Sequence, residues 1–263
     1  MLTRNLDKAK EAYNRNDAKA SKDAHDGKFA KEEHQTGQGQ YIKSVIYGGL
    51  DGTITTFAVV AGVAGASLSN GIVLIMGVAN MIGDGISMAI GDYLSSKSEM
   101  EYHKNERKRE SWEVENYPEG EKRELVELYM AKGMTRKDAE AAVKIISKNK
   151  KVWVDVMMVE ELGILESDES PVKSAIATFL SFVFFAFIPL IAYVFSSMIP
   201  VFAKNTFLAA CIMAGATLFT LGAIKTKITG KNWIRSGIEM LAVGGIAAGA
   251  AFLVGLLLSG VAG

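Results

Sequence analysis

Carboxylates at helical spacing are the first residues in this chain that could do chemistry. Glu110 and Glu113 stand three residues apart, Glu121 and Glu124 repeat that spacing, and Met157 stands four residues before Glu161. On a helix each such pair leaves one face. Carboxylates this close repel one another, and a divalent cation would neutralise them. Carboxylate oxygens suit hard to borderline metals, and a methionine sulfur moves the preference toward transition metals. The same residues also fit an ordinary solvated helical surface, so two readings stand side by side. There is no Glu-x-x-His pair, and His25, His34 and His103 are too few for a histidine centre. A single cysteine, Cys211, excludes a disulfide framework and a cysteine-based zinc site.

A second group of acids lies in apolar surroundings. Residues 44–96 carry three charges, all aspartates: Asp51, Asp84 and Asp92. An ionisable group at membrane depth costs at least about 2.5–3.5 kcal/mol, so each is a functional suspect. Asp51 sits in Tyr47-Gly48-Gly49-Leu50-Asp51-Gly52, with no basic residue in its own segment to neutralise it. The glycines let another helix or an ion approach the backbone closely. Asp84 and Met88 are four apart, which places a carboxylate and a thioether on one helix face as a way-station for a soft-to-borderline cation. Asp92, one turn further, fits a solvated position at the membrane interface as well as a functional one.

These residues need membrane helices to position them. Beyond 44–96, uncharged runs cover 174–203, 205–224 and 240–263. A bilayer core takes about 20 apolar residues per helix. Spans are expected near 44–66, 72–96, 174–197, 205–224 and 234–259, with Ser67-Leu68-Ser69-Asn70-Gly71 breaking the first long run. Of the 29 lysines and arginines, a five-span topology puts all but Lys204 on the side of the N-terminus, which the positive-inside rule makes cytosolic. Small-residue runs such as Gly244-Gly245-Ile246-Ala247-Ala248-Gly249 favour close helix packing. Five spans make a thin bundle around a polar path, so a twofold homodimer is expected.

The expected organisation is all-α: a disordered cytosolic tail over 1–43 with no secretory signal, helices over 44–96, a cytosolic helical insert over 97–172, and three further spans over 173–263. Within the insert, Pro118-Glu119-Gly120 should stop the extended second helix. Further helices are expected over 121–131, 136–148 from a Thr135/Asp138 capping box, and 151–162 ending at Gly163. A soluble enzyme or nucleic-acid binder is excluded by the apolar runs, and no nucleophile–base pair, phosphate loop or cofactor motif is present.

Taken in order, several short motifs resemble the vacuolar iron transporter family. They are Tyr-Gly-Gly-Leu-Asp-Gly at 47–52, Ser87-Met88 with Gly-Asp-Tyr-Leu-Ser at 91–95, Glu-Ser-Trp-Glu at 110–113, Tyr-Pro-Glu-Gly-Glu at 117–121, and Met-Met-Val-Glu-Glu-Leu-Gly at 157–163. The resemblance covers roughly 41–260. It implies a dimer of five-helix subunits with a cytosolic metal-binding domain, exchanging Fe2+ for H+ without a prosthetic group. It further implies that Glu110, Glu113, Glu121, Glu124, Met157 and Glu161 ligate metal and that Asp51 and Met88 line the transport path. Which of Glu160 and Glu161 faces the metal stays open, as do the roles of Asp84 and of Asp92, which stands where the family has glutamate. Mn2+ and Zn2+ are alternative cargoes. The membrane is a vacuolar or other internal one in a eukaryote and the plasma membrane in a prokaryote. A membrane-anchored module that binds, stores or senses iron without transporting it is the alternative function.

Overall fold

The computed structural model describes residues 11–13, 15–20, 36–165 and 170–262. From Thr36 onward the order is α1 (Thr36–Gly65), α2 (Asn70–Asn116), α3 (Pro118–Ala131), α4 (Arg136–Ile146), α5 (Lys150–Glu160), α6 (Pro171–Val194), α7 (Pro200–Lys204), α8 (Thr206–Thr229) and α9 (Trp233–Ala262). No strand occurs among the described residues. Five helices (α1, α2, α6, α8 and α9) are long and apolar enough to cross a membrane. The tail expected over 1–43 lies mostly outside the described residues, and its last part, 36–43, forms the start of α1.

The chain divides into two compact units, Met1–Gly85 with Ala177–Gly263, and Ile86–Ile176. In the first, glycines set the spacing of the helices. A Cβ on Gly48 would lie 2.6 Å from the Thr178 carbonyl oxygen, and one on Gly52 would lie 2.5 Å from that of Phe182. Gly65 meets the Phe252 carbonyl and Gly255 that of Gly62, at 2.3 and 2.0 Å by the same measure. One end of α1 is therefore pressed backbone to backbone on α6 and the other on α9. Such contact gives the dispersion energy that drives helix association in lipid. Phe57, Val60, Val73, Leu190, Tyr193, Ala210, Ala214 and Ala248 fill the space between.

Pro189 lies inside α6, where its missing N–H leaves a helical carbonyl without its usual bond. The third span ends at Val194, short of the expected 197, and Pro200 then opens the short α7.

In the second unit, prolines and caps place the turns. Pro118 starts α3 rather than merely ending α2, because its fixed φ suits a first helical position. The Tyr117 ring covers Gly120 so closely that a Cβ there would lie 2.0 Å from its Cε1, and Arg123 donates to the Tyr117 hydroxyl at 2.6 Å. Thr135 caps α4 by accepting from the Asp138 N–H at 3.3 Å. Asn149 caps α5 by accepting from the Val152 N–H at 3.2 Å. Both helices end two residues before the positions expected from sequence. Val114, Leu125, Val126, Ala139, Val143, Trp153, Val154, Met157, Met158 and Ile164 form this unit's core.

The glycine contacts give the first prediction. Gly52→Val should destabilise the protein by about 1–3 kcal/mol, since the added atoms meet immovable backbone. Gly249→Ala, with open space around its Cα, should be neutral or slightly stabilising. Thermal unfolding in detergent measures both, and equal melting temperatures for the two variants would contradict the packing.

Candidate metal centre

Three of the glutamates singled out by sequence converge. Glu110 on α2, Glu121 in the first turn of α3 and Glu161 at the C-cap of α5 each offer a carboxylate oxygen, and these oxygens all lie within 4.8 Å of one another. The reason is the register of each helix on the core. Glu110 is one turn before Val114, Glu121 one turn before Leu125, and Glu161 one turn after Met157, and all three apolar partners belong to the same buried cluster. Burying those partners carries the acids inward with them. Glu110 is 1% exposed and Glu121 is 6% exposed.

The electrostatics follow from that burial. Among the described residues no donor reaches either oxygen of Glu110, or the Oε2 atoms of Glu121 and Glu161. Burial pushes the Glu110 carboxyl up to about 8, helped by the charges of Glu161, Glu121 and Glu113 and opposed by Arg109. Burial likewise lifts Glu121 to about 7, with Glu124, Glu113 and Glu161 adding to it. Glu161 is raised as well, first by burial and then by Glu124 and Glu113. Its place at a helix C-terminus also sets it against the helix dipole. Oxygen-only donors, dense negative charge and missing hydrogen-bond donors are what a divalent cation would satisfy.

The remaining candidates take different places. Glu113 is held by Arg109, whose Nε lies 3.6 Å from its Oε2, and its side chain is 34% exposed. Glu124 is exposed at the surface, although its charge reaches Glu121 and Glu161. Met157 is fully buried in the core. Glu160 forms an ion pair with Lys132, at the C-cap of α3, while Glu161 joins the cluster.

In the apolar helices, Asp51 is half-buried on α1, and its carbonyl accepts from the Thr55 hydroxyl at 2.8 Å. Asp84 lies close enough to repel it. Met88, one turn beyond Asp84 on α2, is half-buried. Asp92 accepts from the buried Ser174 hydroxyl at 3.0 Å, a partner that an interfacial, water-solvated position does not call for.

Sequence reasoning missed the cations around the cluster. Arg109 stands three residues after Glu106 and four before Glu113, a spacing that signals pairing on both sides, and Lys132 is distant from Glu160 in the chain and carried no such signal.

Comparison with known proteins places the chain in a family. A sequence model of the VIT family matches residues 42–256. The vacuolar iron transporter of Toxoplasma gondii is 42% identical, over 99% of this chain and 90% of that protein. That of Plasmodium falciparum is 36% identical, over 98% of each. Vacuolar iron transporter 1 of Arabidopsis thaliana is 35% identical, over 84% of this chain and 87% of that protein. With its five apolar helices, the chain is a multi-pass membrane protein that belongs to the VIT family.

Proposed function

We propose that the protein moves Fe2+ out of the cytosol, across a vacuolar membrane, in exchange for H+, and that it does so as a homodimer. The names of its relatives support the cargo and the compartment. The observation that carries the reading is the buried Glu110–Glu121–Glu161 cluster, whose oxygens lack donors. The distribution of lysine and arginine supports a cytosolic N-terminus and a cytosolic insert, which would put the cluster on the side from which iron is taken.

In this mechanism the cluster captures the cation first. Metal-free, it holds protons at neutral pH, because Glu110 and Glu121 titrate near 8 and 7. The entering dication displaces them, so metal and proton compete for the same oxygens. Glu113, Glu124 and Met157 complete the ligand set as the ion settles. Asp51, with Met88 as a softer donor, then passes the ion through the membrane, and Asp51 returns carrying a proton. Mn2+ is the nearest alternative cargo on oxygen-rich ligands, followed by Zn2+. The compactness of Ile86–Ile176 also suits a module that binds or senses iron without moving it, but an acid in the apolar bundle has no task in a plain anchor.

Four outcomes are expected. In proteoliposomes with an imposed pH gradient, Asp51→Ala should abolish Fe2+-for-H+ exchange, whereas wild-type rates in that variant would leave only the binding module. Glu110→Gln should raise the Fe2+ concentration for half-maximal uptake at least about tenfold, with the helical circular dichroism unchanged. The third is a pH dependence. Each raised carboxyl contributes stability that is complete below its unfolded value near 4.5 and is lost as pH climbs through 7 and 8. The metal-free protein should therefore melt at a lower temperature at pH 8.5 than at pH 6. Mn2+ binding at pH 7 should release protons, read as a buffer-dependent heat in titration calorimetry.

A further inference from the structure

Glu113 stands off from the cluster that its charge influences. Its carboxylate acts on Glu110, Glu121 and Glu161 alike, yet only those three converge. The Arg109 side chain is its partner. Its Nη2 lies 2.7 Å from Glu106 Oε2 and its Nε lies 3.6 Å from Glu113 Oε2. Glu106, three residues earlier on the same helix, has a side chain only 15% exposed and is the tighter partner, while Arg109 itself is half exposed. The charge of Arg109 also reaches Glu110 and Glu161.

We infer that Arg109 is a resident counter-cation that holds Glu113 until a doubly charged ion displaces it, and that this exchange sets the preference of the centre for divalent over monovalent cations. The inference rests on the Glu110–Glu121–Glu161 cluster being the capture site. Arg109 touches Glu113 rather than the cargo, so it is a positioning residue. When a dication takes Glu113, the guanidinium keeps its Glu106 partner and is not left with an unpaired charge, which makes the handover inexpensive. A singly charged ion would have to displace a cation of equal charge already paired with the carboxylate, and gains little by doing so.

The test is Mn2+ binding to the full-length protein in detergent, followed by the electron paramagnetic resonance signal of free Mn2+, with K+ as competitor. Arg109→Gln should tighten Mn2+ binding by about fivefold, the scale of a half-exposed ion pair. It should also make that binding more sensitive to K+ than in the wild type. Glu106→Gln should weaken Mn2+ binding by a similar factor, because Arg109 then closes fully on Glu113. Arg109→Lys should stay near wild type, and the gain from Arg109→Gln should vanish in a Glu113→Gln background. A merely structural ion pair would make Arg109→Gln and Glu106→Gln err in the same direction, and that result, or no change in either, overturns the inference. Glu110→Gln separates the two levels. If it leaves Mn2+ binding intact, the capture site itself is wrong; if it removes binding while Arg109→Gln has no effect, only the role of Arg109 is wrong.

Discussion

The cost of burying the carboxyls of Glu110, Glu121 and Glu161 side by side is the constraint that the helical unit between the second and third apolar helices has to meet. Three carboxylates with oxygens within 4.8 Å do not stay together by their own chemistry. What holds them is the apolar cluster one helical turn away, through Val114, Leu125 and Met157. Ion pairs fasten α5 to α2 from outside, Arg107 to Asp155 and Lys150 to Glu115, and Lys132 draws Glu160 away from the cluster. Hydrophobic burial thus maintains an electrostatic arrangement that would otherwise relax into water.

The apolar unit solves a different problem with a similar economy of parts. A carboxylate at Asp51 needs protein around it, and the glycines at 48 and 52 bring the α6 backbone up against α1. Thr53 and Thr55 turn their hydroxyls back onto the carbonyls of Gly49 and Asp51, so these polar side chains satisfy themselves within the helix. Asp51 keeps its carboxylate apart from that internal bonding.

Much of this was legible in the sequence because it depends on local rules. The five apolar segments, the Ser67–Gly71 break, the Thr135 cap and the turn at Pro118 all follow from composition and cap chemistry, and the helices lie where those rules put them within a few residues. Spacing identified the acidic pairs but could not sort their members. Glu110 and Glu113 share a helix face, yet one is buried and the other is part-exposed and paired with Arg109, since only the neighbouring helices decide which side of that face is covered. Glu160 and Glu161 are adjacent in sequence and were separated by Lys132, a contact across 28 positions that no periodicity reports. Gly120 carried a signal whose meaning appears only with the Tyr117 ring lying over it.

The glycine contacts of α1 also bear on how that helix can move. Between Gly48 and Gly52, which face the carbonyls of Thr178 and Phe182, the Phe185 ring lies over Gly49, and the Ser181 hydroxyl donates to the Val45 carbonyl across the same seam. A seam keyed in this way resists separation through close backbone contact and resists sliding through the seated ring. Sliding α1 along α6 would have to unseat Phe185 from Gly49, so the two helices are built to move as one body.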